Sequence, residues 1–221
     1  GGLGPARALG LWRGALGGLA ALHRRGVLHR DLKPSNLLLG ARGEAKLADL
    51  GVSTRLSGSH PQTTHAAGSI PYMAPEVSQF LMGEPLSYGF PADIWSAGVV
   101  LHRMLVGLGE EEEQGGGGGG GAAVRDPGRL VREVQERHPG AAGRALGGLV
   151  ARCLRRDPAR RPGAEALLAA CREVESELAL GDAWHLGRDG LSTPILIKEE
   201  RPGSSQIVSS PRVGHDGISR L

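Results

Sequence analysis

The sequence predicts an α+β fold: a mainly helical body with a few short strands on one face. Three observations lead there. Leu9, Trp12, Leu16, Leu19 and Leu22 recur at spacings of three and four, which puts them on one face of a helix. The 16 residues from Pro91 to Val106 are apolar on nearly every face, which suits a helix at the centre of a domain. Between them, Val27-Leu28, Leu37-Leu38-Leu39 and Leu47-Ala48 with Leu50 are short apolar runs bounded by turn residues, and so read as strands. A chain of 221 residues is long enough to bury one sizeable core.

Taken in order, residues 7–23 form the first expected helix, which Gly14, Gly17 and Gly18 weaken intrinsically, so packing must hold it. Gly40 through Glu44 would join the second and third apolar runs as a hairpin. Polar and charged residues gather between the strands, where rigid flanks can hold chemistry on loops. Pro91 suits the first turn of the central helix, and Asp93 could place its carboxylate on the free N–H groups there. Four glutamates (110–113) and seven consecutive glycines (115–121) follow; ordering such glycines costs about 1–2 kcal/mol per residue with no side chain to bury. Residues 108–124 are therefore expected to be a disordered insertion. Leu130, Val131 and Val134 mark a short helix, Leu146 to Leu154 another, and Leu167, Ala170, Cys171, Val174 and Leu178 the stripe of a last one. The body is expected to span 1–180, with 181–221 a flexible tail.

Composition narrows the functional classes. Gly and Pro supply 51 of 221 residues and only seven residues are aromatic, so part of the chain is expected to be unpacked. A net charge of +3 is too small to argue for nucleic acid or an anionic membrane as partner. No apolar run reaches the 18 or more residues needed to span a bilayer. Cys153 and Cys171 supply neither a disulfide framework nor a zinc ligand set, and read as small buried hydrophobes in a reducing compartment. Lysine occurs only at 33, 46 and 198, which draws attention to each.

The most informative stretch is His29-Arg30-Asp31-Leu32-Lys33-Pro34-Ser35-Asn36, with Asp49-Leu50-Gly51 beginning thirteen residues after Asn36. A hairpin between them could bring 31–36 and 49 to one end. Asn36 and Asp49 are oxygen donors suited to Mg²⁺, which takes few protein ligands and completes its shell with phosphate oxygens. Asp31 can orient a hydroxyl and accept its proton, and Lys33 can neutralise charge on a transferred phosphoryl group.

These residues resemble the eukaryotic protein kinases, whose signatures include H-R-D-L-x-x-x-N and a later D-F-G, here Asp49-Leu50-Gly51. Five fixed positions (29, 30, 31, 33, 36) recur by chance on the order of 10⁻⁷ per start site at average residue usage. Gly68 to Glu76 (GSIPYMAPE) resembles the end of an activation segment, Asp93-Ile94-Trp95-Ser96-Ala97-Gly98 the start of the central helix, and Arg152 to Pro162 the last block, so the likeness covers roughly 7–180. It implies that Asp31 is the catalytic aspartate and Lys33 its phosphate-contacting neighbour, that Lys33, Asn36 and Asp49 bind the nucleotide, and that Asn36 and Asp49 are the magnesium ligands. It also implies ATP and Mg²⁺ as cofactors, a protein substrate, a packed His29, and an Arg30 that holds a phosphorylated loop. Ser59, Thr63 and Thr64 become candidate sites for an upstream kinase. Glu76 and Arg161 resemble a buried ion pair, and Asp93 a residue bonding the backbone of the His29-Arg30 turn. His23 is expected to be a helix-end histidine without a catalytic part, and Trp12 and Trp95 to be core. Lys33 and Ser69 resemble the serine/threonine branch; Asp49 to Ser53 and Tyr72-Met73 lean toward the mitogen-activated kinase kinases.

Two departures stand out. Leu50 replaces the usual phenylalanine, with little expected effect on metal binding. The expectation from this sequence is that the small lobe, with its Gly-rich loop, strand lysine and helix glutamate, is missing from the chain. The expectation is a protein serine/threonine kinase present as its large lobe, inactive alone, with an apolar cleft floor exposed. The alternative is a stand-alone kinase-like scaffold or binding module without catalysis. The expected setting is soluble and reducing, cytoplasmic or nuclear, with no nucleic acid or membrane partner.

Overall fold

A computed structural model describes residues 1–57, 62–81, 87–107, 126–180 and 198–199. The expected insertion at 108–124, Ser59, Trp184 and nearly all of the expected tail lie outside the described residues. Six helices carry the body: α1 (Pro5–Arg24), α2 (Pro75–Leu81), α3 (Pro91–Val106), α4 (Pro127–Arg137), α5 (Ala141–Cys153) and α6 (Ala164–Leu180). The strands are β1 (Val27–Leu28), β2 (Leu37–Leu39), β3 (Ala45–Leu47), β4 (Thr54–Arg55) and β5 (Lys198–Glu199). This is the mostly helical, kinase-like arrangement with short strands that the sequence predicts.

α3 is the hub. Residues from Ala92 to Leu105, Arg103 excepted, are buried, and the helix packs against α1, α4 and α5. Gly98 lets α5 approach closely: a Cβ there would lie 2.5 Å from the Cβ of Cys153. Trp12 and Trp95 are fully buried, and the Trp12 indole N–H donates to the Ala97 carbonyl at 2.7 Å, so its one polar atom is satisfied in the core. Cys153 and Cys171 are buried free thiols, as the sequence suggests; burial pushes the Cys153 thiol up strongly and that of Cys171 up to about 12.

α1 lies between α3, α6 and the strands. Two of the three glycines that weaken it are the reason it fits: a Cβ on Gly14 would sit 2.5 Å from the Ala45 carbonyl oxygen, and one on Gly18 2.9 Å from the Leu47 side chain. β2 and β3 pair antiparallel with Leu37 opposite Leu47 and Leu39 opposite Ala45. The strand expected at Leu47-Ala48 with Leu50 thus begins and ends earlier, at 45–47; Ala48 only closes the hairpin by donating to the Asn36 carbonyl at 2.9 Å. β1 pairs antiparallel with β4, and β5 runs parallel to β2. Among the described residues no helix is long and apolar enough to cross a membrane.

Asp93 corrects the capping expectation and bears out the other, that it bonds the backbone of the His29-Arg30 turn. It stands in the first turn of α3 without capping it. Its carboxylate accepts from the backbone N–H groups of His29 (2.9 Å) and Arg30 (2.8 Å), and from His23 Nε2 (2.8 Å) at the end of α1. Those two loop amides have no ladder partner, and a buried donor left unsatisfied costs more than a helix end that caps poorly.

Candidate active site

The loop between β1 and β2 carries Asp31, Lys33 and Asn36. Arg30 has φ +72°, a left-handed conformation uncommon for a side-chain-bearing residue, and Asp93 holds the two consecutive amides, of His29 and Arg30, that lead into it. Buried His29 fixes the rest: its Nε2–H donates to the Ala48 carbonyl (3.1 Å) and its Nδ1 accepts from the Asp31 N–H (3.2 Å). One imidazole therefore ties the Asp31 loop to the residue before Asp49.

Asp31, Lys33 and Asn36 meet directly. Lys33 Nζ lies 2.7 Å from Asp31 Oδ2, and the Asn36 amide donates to the Asp31 carbonyl (2.8 Å) and to Asp31 Oδ2 (3.1 Å). The opposite oxygen, Asp31 Oδ1, accepts from the Ser69 N–H (2.9 Å) and the Ser69 hydroxyl (2.8 Å), while Lys33 donates to the same hydroxyl (2.8 Å). Burial by itself would raise the Asp31 pKa. The bonds from Lys33 and Ser69, the lysine charge and the Asn36 amide outweigh it and hold the carboxyl below its ordinary value.

Ser69 reaches this position because Gly68, at φ +115°, passes so close to the Arg30 carbonyl that a Cβ would lie 2.2 Å from its oxygen. The sequence singled out Ser69 as a mark of the serine/threonine branch and not as a partner of Asp31. The signal was there in the Gly-Ser pair ahead of Ala74-Pro75-Glu76.

Asp49 makes no hydrogen bond to Asp31, Lys33 or Asn36. It stands exposed two residues beyond β3, in the left-handed region at φ +63°, with Oδ1 accepting from the Gly51 N–H at 3.1 Å. The hairpin register brings it to the end of the strand pair where Asn36 immediately precedes β2. Among the described residues Asn36 Oδ1 and Asp49 Oδ2 accept no hydrogen bond, because the Asn36 amide nitrogen is the atom committed to Asp31. No cluster of three or more His, Cys, Asp or Glu exists there either. A cation at this end would meet one amide and one carboxylate oxygen and need the rest from its ligand, the donor set that hard Mg²⁺ with phosphate prefers. The residues present fit that group.

The segment from 49 to 76 leads away from the site. Leu50, Val52 and Ile70 are the exposed large hydrophobics of the described residues, and all three belong to it. Thr63 is half-buried and bridged to Tyr88 on both backbone bonds, whereas Thr64 is exposed. At its far end Glu76 and Arg161 form a buried bidentate pair at 2.6 and 2.8 Å, with the guanidinium over the Trp95 ring, as the resemblance implies.

The profile of the protein kinase domain matches residues 4–171. A serine/threonine-protein kinase CHK1 of Mycosarcoma maydis is 48% identical over 94 residues, 42% of this chain and 13% of that protein. Serine/threonine-protein kinase 4 homolog A of Dictyostelium discoideum is 35% identical over 156 residues, 71% of this chain and 32% of the relative. A mitogen-activated protein kinase kinase 5 of Leishmania mexicana is 46% identical over 95 residues, 42% of this chain and 17% of the relative. The matched region is thus less than a third of each of these proteins. Profile, motif order and the local build of the Asp31 loop agree: the chain belongs to the eukaryotic serine/threonine protein kinase family.

Proposed function

We propose that the protein is a serine/threonine kinase that transfers a phosphoryl group from ATP to a protein hydroxyl, with Asp31, Lys33, Asn36 and Asp49 as its working residues. The observation that carries this reading is the Asp31 carboxylate, held ionised between Lys33, Asn36 and Ser69 with every contact made as an acceptor. A substrate hydroxyl arriving there finds an oxygen able to take its hydrogen bond and later its proton. Lys33, bonded to Asp31 and Ser69, is placed to follow the negative charge of the group in transfer. Asn36 Oδ1 and Asp49 Oδ2 would hold Mg²⁺, which would supply charge neutralisation to the nucleotide phosphates. The substrate hydroxyl class follows Ser69, whose place beside Asp31 suits the serine/threonine branch; a leaning toward the mitogen-activated kinase kinases rests on Asp49 to Ser53 and Tyr72-Met73.

The test is transfer from ATP to serine of a protein substrate, run on this chain fused to the small lobe of one of its relatives. Asp31→Asn keeps the volume and removes the charge, and should lower the rate by on the order of 10³-fold, the usual worth of a positioned base. Equal rates in the parent fusion and Asp31→Asn would remove the aspartate from the reaction.

A further inference from the structure

Tyr88 lies in the loop ahead of α3, distant in sequence from the residues assigned above, and is almost fully buried. A buried phenol needs a partner for its hydroxyl, and this one donates to the His65 carbonyl at 2.6 Å. The same carbonyl accepts from Arg30 Nη1 at 3.1 Å, and the Arg30 guanidinium lies beside the phenol. Arg30 Nε in turn donates to the Val52 carbonyl. The Tyr88 backbone adds a two-way bridge to Thr63, at 2.8 and 3.0 Å. Three residues of the segment, 52, 63 and 65, are thus fastened to Arg30 and Tyr88 by neutral carbonyls and amides. A shallow dent in the surface lies against Arg30, Tyr88, Ala67 and Asp93 at this junction.

From this geometry we infer that Tyr88 is a positioning residue: its hydroxyl holds the 62–69 segment, and through it Arg30 and Ser69, in the arrangement the Asp31 carboxylate requires, without a phosphate on the segment. The inference rests on the kinase reading for its consequence but not for its test. Two directions of hold converge on Arg30. Asp93, from α3, fixes its backbone, and Tyr88, from the lead-in to α3, fixes the carbonyl on which its side chain ends. Because the guanidinium already has two carbonyl partners, a dianion on exposed Thr64 would compete with bonds that exist and would not be needed to create order.

The experiment is amide exchange and ¹⁵N spectroscopy on the full, unphosphorylated chain, wild type against Tyr88→Phe, which keeps the ring and removes only the donor. The expected result is exchange about five- to tenfold faster at Thr63 to Ala67, loss of the slowly exchanging Arg30 Nε–H signal, and unchanged exchange in α3. Equal segment exchange and an intact Arg30 signal in both proteins would overturn the inference. So would equal acceleration in α3, which would make Tyr88 a packing residue. Neither readout needs nucleotide, so failure of the kinase reading would leave this result standing, and the reverse.

Discussion

Asp31 shows how one side chain is set by its neighbours. Its pKa is held below the ordinary value by Lys33, Ser69 and Asn36 against the opposing effect of burial. A carboxyl whose folded pKa is depressed contributes stability that is fully present above its unfolded value, near 3.8, and is lost as pH falls through the lower folded value. A carboxyl ¹³C titration should therefore place the Asp31 midpoint below 3.8, and Lys33→Met should move it upward by removing the lysine's hydrogen bond and its charge together. A midpoint unchanged by Lys33→Met would mean that the 2.7 Å pair is not sustained in solution. The residue types at 31, 33, 36 and 49 were legible because three fall within six consecutive residues and the fourth follows one hairpin later. Tyr88 and the Ser69–Asp31 bonds were not, since they depend on which distant loops meet, and no periodicity or spacing encodes that.

At the level of elements, the glycines of α1 divide by what faces them. Gly14 touches the Ala45 carbonyl and Gly18 the Leu47 side chain, while Gly17 has nothing within 4 Å of its would-be Cβ. Gly17→Ala should stabilise the protein by about 0.5–1 kcal/mol through helix propensity and a less mobile unfolded chain. Gly14→Ala should destabilise it by about 1–3 kcal/mol, because a methyl against backbone forces β3 off the helix. Thermal or urea unfolding of the two variants decides this, and a shared sign would contradict it. Helical elements with a sustained apolar stripe, α1, α3, α5 and α6, were readable from spacing. α2 and β4 were not: seven and two residues are too short to show a period, and each is tied in by a partner distant in sequence, Arg161 for Glu76 of α2 and β1 for β4. The end of β3 was misread for a related reason. Leu50 is apolar yet half exposed, since it faces out of the body beside the candidate site.

Across the whole molecule, α3 gathers the parts that matter. Its first turn bonds the Asp31 loop, its lead-in holds the 49–76 segment, and Arg161 ties Glu76 to the Pro91 carbonyl at its start. Arg161 is buried and makes further bonds to the carbonyls of Arg155 and Arg156, so Arg161→Met leaves Glu76 buried without its counter-charge. The expected cost is about 3–5 kcal/mol, and the Glu76→Gln, Arg161→Met double variant should recover part of it. Full additivity of the two single variants in chemical unfolding would show the pair to be uncoupled. The proposed activity turns on whether Asn36 and Asp49 serve one metal-bound nucleotide. Paramagnetic broadening by Mn²⁺ with ATP measures this most directly, because even a small bound fraction relaxes nearby nuclei. The Asn36 side-chain amide signals should broaden on adding Mn²⁺ and ATP to the wild type, and should stay sharp in Asp49→Asn. Asn36 signals that remain sharp in the wild type, or that broaden equally in Asp49→Asn, would contradict a shared ion at this hairpin end.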